Sequence, residues 1–578
     1  MSNSKKITFE RFFFLILTLL AAAAMLHTLF VGLEIDEEYA LSLGFRIVRG
    51  DRLFYSMWEP HQLSALPSAL LIAVFTAVTG TTTGVLLFVR CVMLAVKALL
   101  SVWFYRSLRM PLGTRAAYLL ALSLFVFTPK WFLGPDYVSQ QFHFTVAAFL
   151  LFYGYFAPGP RQYKGLWQVV LGTVCACLSY LAYPQTIASA LVLLLGLLIP
   201  GRKEQHKARG ALAFAVTCAV CGGAFALYVL QGLGFDLAAL LDRANLILND
   251  PQYDFSTSER LQTLAGQAAI VWQTCWLPAL LAAAAAAAEM LFGERRGLAR
   301  CVERFLWYFT FLLTLWCTAH SLLSVSLDFR HLYLAAALAG GWTFFCDRHR
   351  QQDRAVRRIL FWLGWLPGMA AYFFILRSTL IALNTTFMYL FWPAVCGVAA
   401  LALKKPEKPL RRIQTALLLV CLVLAAALPR LFLVQETGWR CETVWDVTPQ
   451  KITTGPAAGT WADPKAADMQ ACLYEALAPY RGQAVLQAIG EQHGLGFLMA
   501  DGTLTVAQAS VISGTDSDPR FEQYYADLPE KQPSVILYDD AEVRDMAAFH
   551  TWLEQHFTIT DRYTVQHGTA SLQVLVVG

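Results

Sequence analysis

The sequence predicts a multi-pass α-helical membrane protein with a separate, acidic α/β domain at its C-terminal end. Three observations predict it. The 578 residues are 57% hydrophobic and only 15% charged, whereas a soluble chain carries roughly a quarter of its residues as charges. Apolar runs of spanning length recur along the first three quarters of the chain. The net charge of +5 hides a split: residues 1–434 hold 37 Lys and Arg against 21 Asp and Glu, and residues 435–578 hold 8 against 19. So little charge could not clothe the three or four soluble domains that this length would otherwise imply. Disordered, collagenous and disulfide-scaffold classes are excluded on the same grounds, and nothing in the pattern points to a nucleic-acid partner.

A helix needs about 20 apolar residues to cross roughly 30 Å of hydrocarbon. Spans are expected near 12–33, 84–105, 116–134, 139–157, 166–183, 185–200, 210–231, 266–292, 305–325, 331–346, 359–376, 385–403 and 413–433, about thirteen in all. The first reads as a retained span, because its apolar run is long and no small-residue cleavage site precedes the acids that follow. Lys and Arg concentrate at every second loop, from Lys5, Lys6 and Arg11 to the stretch Lys404 to Arg412, 26 in total, against about eight in the alternate loops. The positive-inside rule then places the N-terminus in the cytoplasm, the alternate loops outside, and residues 435–578 outside too. A cytoplasmic membrane location follows. The segment 63–79 is apolar and contains Pro67. As a full span it would send every later basic cluster outside, so an interfacial or re-entrant helix is expected there.

The first outer loop carries the chemistry. Glu34, Asp36, Glu37 and Glu38 stand within five residues where the first span ends, followed by Arg46, Arg49, Asp51, Arg52, then Trp58-Glu59-Pro60-His61-Gln62. A carboxylate beside a low-dielectric boundary can serve as a general base; any one of these acids could equally be a hydrated cap on the helix.

The acid pair after the first span, the Glu-Pro before an interfacial helix, and an Arg in the second span (Gly84-Val-Leu-Leu-Phe-Val-Arg90) resemble the C-type (GT-C) glycosyltransferase superfamily. Protein O-mannosyltransferases and bacterial aminoarabinose and related lipid-linked sugar transferases belong to it. Gly134-Pro135-Asp136-Tyr137 resembles the family's second acidic loop, and Asp328-Phe-Arg330-His331-Leu-Tyr333 its late Arg-Tyr segment. Two departures stand out: His61 replaces the family's second Pro, and no Leu-Pro follows Arg90.

The resemblance implies a membrane enzyme that moves a sugar from a polyprenyl-phosphate donor to an acceptor outside the membrane, a lipid, cell-wall polymer or protein. Asp36 would be the general base, Glu37 its partner, and Asp136 an orienting or tuning acid. Arg90 and Arg330 would hold the donor phosphate by charge-assisted hydrogen bonds, and membrane lipid would hold the donor's tail. Glu59, His61 and His331 are further site candidates. Glu59 and His61 with Asp36 could hold a divalent cation, though no tight metal spacing supports it and no cofactor is expected. A lipid-sugar flippase, or a polymerase or ligase of surface polysaccharide, is the alternative. Transporters favour internal repeats and midplane charges, and no clear repeat is visible.

The remaining features read as structural. Lys97 is expected to pair with a carboxylate or snorkel toward Arg106. His143 reads as a core residue, and Cys175, Cys177, Cys218 and Cys221 as small hydrophobes. The long loop 232–265, with Arg243 and Arg260, could roof a site or simply be solvated. In residues 435–578, strands are expected at 484–489, 534–538 and 571–577 and helices at 465–478 and 541–556, an α/β alternation. Asp539 and Asp540 read as a solvated loop. Cys441 and Cys472 could form a disulfide in an oxidising exterior.

Overall fold

A computed structural model describes residues 3–578 apart from 60, 158–164, 200–203, 249–255, 293–296, 324–329, 347–353, 380, 404–408, 438–439, 489–494, 501–518, 540–550 and 552. The chain is a multi-pass α-helical protein with a C-terminal α/β domain. A long first helix, α1 (Asn3–Phe30), is followed by a short α2 (Ile35–Val48) and by α3 (Ala65–Thr79). Then come α4 (Val85–Leu112), α5 (Thr114–Val126), α6 (Tyr137–Phe156), α7 (Leu166–Ala182), α8 (Ala188–Leu198) and α9 (Glu204–Gly232). After α10 (Leu237–Leu248) follow α11 (Thr257–Phe292), α12 (Leu298–Leu323), α13 (His331–Cys346), α14 (Arg354–Ile359), α15 (Leu366–Ser378), α16 (Leu383–Thr386), α17 (Phe391–Leu403) and α18 (Pro409–Arg430).

Among the described residues eight helical stretches are long and apolar enough to cross a membrane. Seven coincide with expected spans, and the eighth is Gln62–Thr79. The other expected spans are also helical, but three are short: Thr114–Val126, Leu166–Ala182 and Pro184–Leu198. The 13 residues of α5 reach only about 20 Å at 1.5 Å per residue, less than the hydrocarbon thickness. The irregular stretch 127–136 therefore starts at membrane depth, which is tolerated because nearly all of it is buried in protein. Lys97 closes the end of α5, donating to the carbonyls of Leu124 (3.3 Å) and Phe127. This corrects the expected carboxylate pair or snorkelling: a buried ammonium is met by the orphan carbonyls of a helix C-terminus.

In the C-terminal part, β1 (Leu433–Thr437) and β2 (Arg440–Thr443) form a hairpin, and β3 (Gln450–Lys451) pairs with β4 (Trp461–Ala462). Strands β5 (Val485–Ala488), β6 (Val535–Tyr538), β7 (Ile559–His567) and β8 (Ala570–Val577) form one sheet in the order β5-β6-β8-β7. Only β5 and β6 run parallel, and α19 (Pro464–Leu477) packs on the sheet through Cys472 and Leu473. The expected strands correspond to β5, β6 and β8, and helix 465–478 to α19. Strand β7 escaped notice because it is a polar edge whose side chains are mostly exposed. Most of the expected helix 541–556 lies outside the described residues. No disulfide joins Cys441, in β2, to Cys472, whose Sγ lies 3.4 Å from the Val565 carbonyl.

The two parts of the chain share a core: Leu33, Leu41, Val85 and Val89 pack in one cluster with Ile452, Leu473 and Phe497. Backbone bonds fasten the seam, from Gly32 N to the Trp461 carbonyl (2.7 Å) and from Gly84 N to the Gly455 carbonyl (3.1 Å). Gly32 sits at φ +91°, and a Cβ there would meet the Val434 carbonyl oxygen at 2.7 Å. Only glycine fits that corner.

Candidate functional site

The site grows from the first turn of α2. Glu34 is its N-cap, accepting from the backbone N–H of Asp36 (2.8 Å) and Glu37 (3.3 Å). Asp36, Glu37 and Glu38 fill the first turn, where the positive end of the helix dipole favours negative charge. Successive helical residues point about 100° apart, so the three carboxyls diverge into three different environments.

Glu37 is buried and bidentate with Arg90, from Nε at 2.8 Å and Nη2 at 2.5 Å. Arg90 also donates to the carbonyls of Leu29 (3.3 Å) and Gly32 (2.8 Å). Its donors are therefore spent on holding α2 to α1. Burial pushes the Glu37 carboxyl up, and the Arg90 guanidinium pulls it back. Glu38, also buried, faces the C-terminal domain, at 3.5 Å from Gln470 Nε2 and 3.4 Å from Leu495 N. Burial holds its carboxyl well above the ordinary glutamate range, with Glu37 and Glu34 adding to that rise.

Asp36 differs from both. Its side chain is 22% exposed and pairs with Lys130. The Lys130 ammonium also lies 5.1 Å from the centre of the Tyr137 ring. Asp136 is fully buried and caps α6, accepting from Val138 N and Ser139 N at 3.1 Å each. Burial raises its carboxyl, and Lys130 opposes this. It acts on the shape of the loop: the neighbouring Gly134 lies so close to Glu37 that a Cβ would meet Glu37 Cγ at 2.6 Å.

From Lys130 an aromatic wall runs inward. His61 stacks flat on Tyr137 with ring centres 3.8 Å apart, Tyr137 meets Tyr183 at 5.2 Å, and Tyr183 meets Tyr389 at 5.8 Å. Burial lowers the His61 imidazole to about 4, so the ring is neutral near pH 7. Its backbone is left-handed, at φ 62°, a strained conformation for a non-glycine residue. Tyr389, Gln141, Phe127 and Pro129 belong to the lining of a mainly apolar cavity that reaches Phe149 and Trp392 within the bundle. Pro129, the chain neighbour of Lys130, lines this cavity, so the partly exposed acid–lysine pair stands close to it.

The other expected residues are distributed as follows. Glu59 is taken by buried Arg46, which also binds Asp51 (2.6 Å) and the Ser56 carbonyl (2.5 Å). Tyr524 and Lys531 of the C-terminal domain join this network, Lys531 on Asp51. Glu59 is thereby part of a domain-joining ion cluster, and the expected cation site with Asp36 and His61 is not assembled. Among the described residues no group of three or more His, Cys, Asp or Glu is placed to hold a metal ion. His331 is buried against Phe387, with ring centres 5.3 Å apart. Arg330 is buried, and its Nη1 has no hydrogen-bond partner among the described residues. Arg260, at the start of α11, is similar: Nε donates to the Leu376 carbonyl at 2.8 Å while buried Nη1 is unused among the described residues.

Sequence reasoning missed Lys130 as the partner of Asp36. Its signal was available, since Lys130 is one of the few cations in the sparsely charged loops.

No family model and no curated protein matches the chain. Among solved structures it is similar to ArnT from Cupriavidus metallidurans in the apo state, at 13% identity over 99% of this chain and 98% of that one, with a TM-score of 0.41. It is also similar to the oligosaccharyltransferase of Archaeoglobus fulgidus in the apo form, at 12% identity over 96% of this chain and 74% of that one, with a TM-score of 0.44. Both likenesses are distant.

Proposed function

We propose that the chain is a membrane glycosyltransferase of GT-C type that moves a sugar from a polyprenyl-phosphate donor to an acceptor at the outer face of the cytoplasmic membrane. The observation that carries this reading is the pairing of Asp36, the most exposed of Asp36, Glu37 and Glu38, with Lys130, whose chain neighbour Pro129 lines a cavity within the bundle. Such a site suits an amphiphile whose tail belongs in hydrocarbon and whose head must meet a base. The concentration of Lys and Arg in alternate loops supports an outer position for this end of the bundle, with the N-terminus in the cytoplasm.

Asp36 is the general base in this reading. It takes the proton of the acceptor nucleophile, whose lone pair attacks the anomeric carbon from the face opposite the phosphate. The bond from anomeric carbon to phosphate oxygen breaks, and polyprenyl phosphate departs with the electron pair. The result is inversion at the anomeric carbon. The Lys130 ammonium balances the carboxylate and lies near enough to share charge with the leaving phosphate. Glu37 and Arg90 serve as positioning residues that lock α2 in place. Asp136 orients the facing loop. The unused nitrogens of Arg330 and Arg260 make these two guanidinium groups better candidates for the donor phosphate than Arg90.

The test uses the purified full chain in lipid nanodiscs with radiolabelled polyprenyl-phosphate sugars and membrane extract. Release of polyprenyl phosphate should require Asp36. Release that persists unchanged in Asp36→Asn overturns the role given to Asp36, and no release from any donor overturns the transferase reading.

A further inference from the structure

A groove open to solvent lies at the far end of α2 from Asp36, Glu37 and Glu38, between the turn that ends α2 and the last turn of α9. Ile47, Asp51, Arg52 and Leu53 line one side, and Tyr228 and Gln231 the other. Phe225 of α9 packs below it against the cluster of Leu43, Leu53 and Met57. Three properties bear on what it holds.

The first is charge. Asp51 is already shared by Arg46 and Lys531, and Glu59 is taken by Arg46. Two carboxylates and two cations cancel there. Arg52 is exposed, and its guanidinium makes no ion pair or hydrogen bond among the described residues. Among the described residues the groove therefore carries an uncompensated positive charge.

The second is depth. Val216, Val220 and Leu227 of α9 are 53%, 63% and 61% exposed, as lipid-facing residues of a spanning helix are. Phe235, Leu237 and Leu241, just past the end of α9, are 66%, 59% and 63% exposed. The candidate span Lys207–Gly232 ends at this groove, so the groove lies at the level where hydrocarbon gives way to headgroups. Tyr228, an aromatic with a polar tip, is typical of that level.

The third is shape. Arg52 lies beside the α9 backbone, since a Cβ on Gly232 would meet Arg52 Cδ at 3.6 Å. Arg52, Gln231 and Tyr228 thus border one groove.

We propose that this groove binds the headgroup of a net-negative phospholipid. Arg52 donates to the phosphate as a fork, Tyr228 and Leu53 meet the glycerol and upper acyl chains, and the uncompensated charge disfavours a choline headgroup. The proposal is independent of the transferase reading and of which compartment this end faces.

The test is photolabelling of the full chain in nanodiscs, with phosphatidylglycerol or phosphatidylcholine bearing a diazirine near the headgroup, followed by peptide mapping. The glycerol lipid should label residues 47–53 and 225–234 at least about five-fold more than the choline lipid. Arg52→Gln should drop that labelling to the choline level, while Arg52→Lys should keep most of it. A thermal midpoint for Arg52→Gln equal to the parent's in phosphatidylcholine establishes that the variant is folded. Equal labelling by the two lipids, labelling only elsewhere, or unchanged labelling in Arg52→Gln overturns the proposal.

Discussion

Glu37 and Arg90 form a fully buried, bidentate ion pair that ties the first turn of α2 to α4, with Arg90 also holding the last carbonyls before that turn. The pair joins an acid and an arginine 53 positions apart in sequence, both of them buried. Removing one partner strands a buried charge, which costs about 3–5 kcal/mol. Arg90→Ala should therefore lower the thermal midpoint in detergent sharply, and Arg90→Lys should recover little, since an ammonium cannot match the fork. A midpoint for Arg90→Ala close to the parent's would remove the positioning role.

Asp36→Asn keeps the size of the side chain and the backbone bonds to Glu34 while removing the proposed base. Turnover should fall on the order of 10²–10⁴-fold, the usual range for a general base, with the thermal midpoint nearly unchanged. Lys130→Met should reduce turnover as well. Sugar-transfer kinetics measured beside thermal melts separate these effects from misfolding.

Glu38 gives the molecule a pH signature. Burial raises its folded carboxyl well above the ordinary range, so the folded state holds that proton more tightly than the unfolded chain does. Its contribution to stability is fully present below the ordinary glutamate range and fades as pH rises toward the raised folded value. Glu38→Gln, a neutral mimic of the protonated acid, should flatten the decline of the melting temperature with rising pH. An unchanged slope would show that the carboxyl titrates normally.

The packing of α2 on α3 depends on Gly44. A Cβ there would fall 2.7 Å from Ser68 Cβ and 2.9 Å from the backbone N of Ala69, and backbone cannot give way cheaply. Gly44→Ala should cost about 1–3 kcal/mol as overpacking and should lower turnover by tilting the carboxylate turn. Thermal melts and sugar-transfer assays on this variant check both.

Apolar length and loop charge are local properties, and they made the helices and the acidic C-terminal domain readable. They could not show that α5 stops short and lets residues 127–136 sink into the bundle, because that is decided by Lys97 meeting carbonyls from a different helix. The acids Asp36, Glu37 and Glu38 were legible as a cluster. Their separate environments were not, since helical geometry sends Asp36, Glu37 and Glu38 toward Lys130, Arg90 and Gln470, which are 94, 53 and 432 positions away respectively.

Taken by itself, the sequence determined that this chain is built for a membrane, where most of its apolar helices lie, and which turn concentrates carboxylates. Only the tertiary structure decided which carboxylate is accessible and which cation answers it. It also showed that Glu59 and Arg46 fasten the C-terminal domain. The physical reason is that burial and charge pairing are properties of neighbours in space, and a one-dimensional pattern of hydropathy records neither.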